Sequence, residues 1–70
     1  MEYNDIIEIF NDNSSIIYDE AHIIDLVVYT DNRGESRTRV SFVYKGCSNR
    51  PEDIHSLDVE TAMIRITKGE

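Results

Sequence analysis

Cys47 and His55 flank Pro51, and a turn from Arg50 to Leu57 would bring a thiol and an imidazole close enough to act as nucleophile and base. A catalytic cysteine also needs a lowered pKa, an oriented histidine and an oxyanion site inside a cleft. A chain of 70 residues leaves little room for that, so Cys47 reads as an ordinary loop cysteine. His55 stands near Asp53, Asp58 and Glu60, a set able to ligate a divalent cation, but the spacing matches neither HExxH nor an EF-hand loop. Many carboxylates are available for paired-carboxylate hydrolysis, yet nothing selects two of them, and an acid-rich surface brings such pairs together by chance. His22 is expected to be a hydrogen-bonded packing residue beside Tyr44. Gly34, Gly46 and Gly69 look like turn residues and form no phosphate loop. No catalytic residue, metal or cofactor is therefore expected, and the chain reads as a protein that is not an enzyme.

The whole chain bounds what remains. Its length makes one domain, spanning residues 1–70, and a domain this small buries only about 60% of the surface its unfolded chain exposes. Fourteen Asp and Glu against seven Lys and Arg leave a formal net charge of −7, which disfavours direct contact with nucleic acid or an anionic membrane and favours a basic protein partner. A hydrophobic fraction of 40% is too high for a disordered acidic tail. The single cysteine excludes an internal disulfide framework and suits a reducing compartment. Met1 to Phe10 lacks the positive start and apolar core of a signal peptide, and the apolar run Leu26 to Tyr29 is far too short to cross a bilayer, so a cytoplasmic protein is expected.

The elements that would position any functional surface follow from periodicity. Tyr3, Ile6, Ile7 and Phe10 recur at helical spacing, which predicts a short amphipathic helix from about Asn4 to Asn11, capped by Asn4 or Asp5. Glu2, Asp5, Glu8 and Asp12 would line its opposite face. The turn formers Asn11 to Ser15 would end it, and Ile16-Ile17-Tyr18 would make a short strand broken at Asp19-Glu20. Ala21 to Thr30 and Ser36 to Lys45 are rich in β-branched and aromatic residues and read as a β-hairpin. If Asp31-Asn32-Arg33 form a type I turn and Gly34 takes the left-handed position of a G1 bulge, Asp31 faces Glu35. That register sets His22, Ile24, Leu26 and Val28 against Tyr44, Phe42, Val40 and Thr38 on a core face. It leaves Ile23, Asp25, Val27 and Tyr29 beside Val43, Ser41, Arg39 and Arg37 on the other. A two-residue loop at Asn32-Arg33 would instead set Leu26 against Arg39 and Ile24 against Ser41. Beyond the loop from Gly46 to Arg50, Pro51 should open a helical turn through about Leu57, and Ala62, Ile64 and Ile66 should alternate along a final strand. The expected fold class is α+β, a three- or four-stranded mainly antiparallel sheet with a central hairpin, packed against an N-terminal helix and a short helical turn.

Charge is segregated along this order. Residues 1–32 carry eight acids and no Lys or Arg, residues 33–50 carry Arg33, Arg37, Arg39, Lys45 and Arg50 against Glu35, and residues 51–70 are again acidic. Such segregation can steer a complementary partner, and it can equally be the solvated face of any surface helix. Arg37 and Arg39 can likewise serve only to neutralise acids across the sheet. The function expected is a protein-binding module acting by occupying a surface of its partner. Glu2, Asp5, Glu8, Asp12, Asp19 and Glu20 would meet a basic patch; if that patch normally holds nucleic acid, the protein inhibits by charge mimicry. In size and charge the chain is similar to phage-encoded inhibitors of host nucleic-acid machinery, anti-CRISPR proteins included, an analogy that no motif sharpens. Tyr29, Arg37 and Arg39 offer a second contact surface. The alternative is an assembly role, as a homodimer or with a partner, through pairing of the last strand or the strand at Ile16 to Tyr18.

Overall fold

A computed structural model describes residues 2–46 and 51–69. Five antiparallel strands run β1 (Asp5–Asn11), β2 (Ser14–Thr30), β3 (Ser36–Tyr44), β4 (His55–Glu60) and β5 (Ile64–Thr67). They form one sheet in the order β4-β3-β2-β1-β5. Two single 3-10 turns, Pro51–Asp53 and Thr61–Met63, precede β4 and β5.

The expected α+β class and its N-terminal helix are overturned, because the segment assigned to the helix is β1. Tyr3, Ile6, Ile7 and Phe10 do fall at helical spacing, but Ile6, Ile7 and Ile9 are β-branched, stiff at χ1 and better suited to a pleated surface. The competing period of two decides which side chains go in. Asp5 and Ile7 are buried and Ile9 is partly buried, while Ile6 and Phe10 are exposed. Strand pairing supplies what a helix of this length lacks, since isolated helices shorter than about 12 residues are marginal in water. The turn formers after it join two strands: Asn11 faces Ser14, with Asp12 at positive φ in the hairpin loop. The helical turn expected from Pro51 to Leu57 is confined to Pro51–Asp53, and His55 onward is the fourth strand. The final strand is present, shortened to Ile64–Thr67.

The central hairpin forms as its turn chemistry requires. Asp31 N–H donates to Glu35 O at 2.9 Å, Gly34 N–H donates to Asp31 O at 3.1 Å, and Gly34 has φ 84°, where a side chain would be strained. The Asp31 carboxylate fastens the loop by accepting from Arg33 N–H and Glu35 N–H. Leu26 faces Val40, Val27 faces Arg39, Val28 faces Thr38 and Tyr29 faces Arg37, in the register read from the turn. That register stops at a bulge between Ile23 and Asp25. Beyond it Ile23 faces Phe42, His22 faces Val43 and Ala21 faces Tyr44, so the pairings expected for Ile24, Ile23 and His22 are each displaced by one residue.

Beyond the bulge, toward Glu20, the inward-facing residues of β2 become the odd-numbered ones, while Leu26 keeps its expected partner Val40. Ala21 and Ile23 join Ile7, Val40 and Phe42 in the core, with Tyr18, Leu57, Ile64 and Ile66 packed round them. Ile24 and Leu26, expected inside, are exposed. β2 bends at Glu20, which has φ 49°, and its two halves have different neighbours. Ser14 to Ala21 pairs with β1, and Ala21 to Thr30 pairs with β3. Thr61, in the turn before β5, makes hydroxyl contacts of 2.9 Å to Thr38 and to Ser36 on β3. No helix among the described residues is long and apolar enough to cross a membrane.

Candidate functional site

The residues expected to form the acidic contact surface do not share a face. Asp5 is buried and structural: its carboxylate accepts Ile23 N–H at 2.9 Å and Gly69 N–H at 3.1 Å. Glu8 lies on the outer side of β1, facing Arg65 across the β1–β5 pair at 4.0 Å. Asp12 is in the first hairpin loop, Asp19 and Glu20 are at the bend of β2, and Glu2 belongs to the segment before β1, where its carbonyl accepts from the Nδ1 of His22 at 3.1 Å. Strand geometry separates side chains that a helix would have stacked.

Tyr29, Arg37 and Arg39 do come together, as their register requires, but a carboxylate joins them. β4 places Asp58 opposite Arg39. Asp58 accepts from the Tyr29 hydroxyl, from Arg37 Nε at 3.0 Å, and stands 3.4 Å from Arg39 Nε. Arg37 also donates to the Asp58 carbonyl at 3.1 Å, and the Arg39 guanidinium lies 5.3 Å above the Tyr29 ring. The patch that looks basic in sequence is thus an ion-paired cluster spanning β2, β3 and β4. Sequence reasoning missed Asp58 because the first half of β4 was assigned to a helical turn ending near Leu57 and Asp58 was given no element.

The Tyr29 hydroxyl, then the Arg37 guanidinium, hold the Asp58 carboxyl below its ordinary value, and Asp58 in turn raises Arg37. A carboxylate whose folded pKa is depressed stabilises the fold above its unfolded value, near 4, and loses that contribution as pH falls through the folded value. Tyr29→Phe is therefore expected to move the Asp58 titration upward and to narrow the acid range over which stability is lost. Carboxyl-carbon NMR titration measures this, and an unmoved Asp58 would refute the hydroxyl's role.

Both histidines contact aromatic rings, and His55 does so from an exposed position. His22 is half-buried, hydrogen-bonded to Glu2 and edge-on to Tyr3 at 6.3 Å between centroids. His55 stacks on Phe42 at 5.6 Å and meets Tyr44 edge-on at 5.0 Å. Cys47, the other half of the nucleophile pair considered above, lies outside the described residues. Among the described residues no three His, Cys, Asp or Glu side chains are grouped to hold a metal ion.

One surface was not anticipated at this position. β1 pairs with β2 only up to Ala21, so from Asp25 to Thr30 the side of β2 turned away from β3 has no neighbouring strand among the described residues. Asp31 hydrogen-bonds across to Glu35, and the alternation of an antiparallel ladder then turns the amides and carbonyls of Asp25, Val27 and Tyr29 toward β3. Those of Leu26, Val28 and Thr30 point out of the sheet. The same stretch exposes Leu26 (43%), Val27 (40%) and Val28 (62%), with exposed Ile24 (48%) just before it. Its sequence signal was present, since Leu26 to Tyr29 is the longest apolar run, but Leu26 and Val28 were assigned to the core face and only Val27 and Tyr29 to the outer one.

Compared with protein-family models, with curated proteins and with solved structures, the chain matches none.

Proposed function

We propose that this chain is a non-catalytic protein-binding module whose binding element is the free edge of β2, with the cytoplasm as its compartment. The observation that carries the reading is the coincidence, over Asp25 to Thr30, of outward backbone groups with exposed aliphatic side chains. Soluble proteins usually blunt such an edge with Lys, Pro or a covering loop, and the stretch from Asp25 to Thr30 holds no Lys and no Pro. Adding a strand supplies the missing hydrogen bonds, while alternate side chains confer selectivity.

A second reading, inhibition of a nucleic-acid-binding protein by charge mimicry as in phage anti-defence proteins, is favoured by the net charge of −7 and by the engagement of Arg37, Arg39 and Arg65 with carboxylates. Asp12, Asp19 and Glu20 would then make the contact.

Panning a displayed heptapeptide library against the protein separates the two. Edge binding predicts extended, β-branched peptides that slow amide exchange at Leu26, Val28 and Thr30. Their affinity should fall at least tenfold in Val28→Pro, which removes an outward N–H on an edge where proline is tolerated. Basic peptides that leave these amides unprotected and lose affinity in Asp19→Lys would overturn it in favour of mimicry.

A further inference from the structure

We infer that the occupant of the β2 edge is a second copy of this chain, paired antiparallel to the first about a two-fold axis at Val27. The inference rests on the edge reading above and names its partner.

An antiparallel pair must set outward-bonding residues opposite outward-bonding residues, which restricts the registers available. Centring the pair on Val27 opposes Leu26 to the partner's Val28 and Val28 to the partner's Leu26, so these four residues exchange their free amides and carbonyls. Thr30 falls opposite Ile24, and the whole exposed stretch is used once. Moving the centre to Val28 would set Asp25 against Asp31 at both ends, where like charges directly opposed are destabilising. Moving it to Leu26 would drive the pair into the bulge at Ile24 and toward the segment that His22 holds through Glu2.

Charge also selects the register centred on Val27. It brings exposed Asp25 opposite the partner's Tyr29, whose neighbours are the partner's Arg37 and the partner's Arg39. Within one copy these two guanidiniums share the Asp58 carboxylate. Asp25 from the other copy gives the cluster a further anion, twice per dimer, and makes the edge complementary to itself as a two-fold interface must be. A single strand pair buries less than a standard interface, so micromolar affinity, roughly 1–100 μM, is expected. Each copy carries −7, so long-range repulsion opposes association and added salt relieves it. Dimerisation should tighten as salt rises, the reverse of binding to a basic partner.

Sedimentation equilibrium up to about 1 mM protein and a crosslink decide the matter. The wild type should dimerise, several-fold more tightly at high salt, and Val28→Pro should remain monomeric. In a Cys47→Ser background Val27→Cys should form a disulfide-linked dimer, because facing residues of a non-hydrogen-bonded pair bring their Cβ atoms within about 4.5–5.5 Å. Asp25→Cys should not. Crosslinking of Asp25→Cys in preference to Val27→Cys would overturn the register. A wild type that stays monomeric would overturn the inference, and if it still bound β-branched peptides at Leu26 and Val28 the edge reading would stand without it.

Discussion

Phe42→Ala is expected to remove most of the stability of this domain. The side chain is fully enclosed, lies 5.4 Å from both the Tyr18 and the Tyr44 ring centroids, and is stacked on His55. Truncating a buried phenylalanine costs about 3–5 kcal/mol, through lost transfer energy and the cavity left behind. Globular domains hold roughly 0.05–0.15 kcal/mol per residue, which for this length is about 4–10 kcal/mol. Urea unfolding followed by circular dichroism, at one fixed protein concentration, should show a midpoint lowered by a third or more, or no cooperative transition. Phe42→Leu, which keeps most of the volume, should cost about 1–1.5 kcal/mol. A cost below about 1 kcal/mol for the alanine variant would mean that Phe42 is not the centre of the core.

Asp5→Ala should come second, at about 3 kcal/mol. Its carboxylate is the acceptor for the amides of Ile23 and Gly69, and a buried donor left without a partner costs about 1–3 kcal/mol. Asp5→Asn keeps one acceptor oxygen and turns an NH2 toward the other amide, so roughly half the loss is expected. Amide exchange at Ile23 and Gly69 provides the specific readout: both should accelerate in the alanine variant, beyond the global loss of stability. An Asp5→Ala protein as stable as the wild type within about 0.5 kcal/mol would contradict the assignment.

The hairpin turn was legible from sequence because four residues fix it. Asp31 binds its own loop and Gly34 supplies the positive φ, whatever the rest of the chain does. What lay farther from the turn was less legible. The bulge at Ile24 has no signature in Ile23-Ile24-Asp25; it lies a few residues past Ala21, where β2 passes from the β1 ladder to the β3 ladder, and it exchanged Ile24 for Ile23 in the core. The N-terminal segment satisfies both periodicities over a few residues. Only the partner strands, β2 on one side and β5 on the other, select the extended form. The candidate surfaces follow the same division. Tyr29, Arg37 and Arg39 were correctly placed on one face, since they belong to the hairpin. Asp58, which pairs with both arginines and cancels their charge, belongs to a strand whose first half was read as a helical turn and whose second half was not read as an element. The acidic side chains were grouped by a helix that does not form, and Asp5 moved from presumed contact residue to buried acceptor.

Asp5 also sets a timing. Its bond to Gly69 joins residues 64 apart in sequence, beside the pairing of Ile6 with Thr67, whereas the two hairpins need only a few residues of loop. Closing a long loop has an entropic cost that is met before its contacts form, so the hairpins are expected to assemble first and β5 to dock last. A chain still being synthesised carries β1 with one side unpaired until Gly69 has emerged. During that interval β1 offers an open edge in addition to that of β2, and the order in which the two are covered decides whether the molecule closes on itself or adds a neighbour's strand.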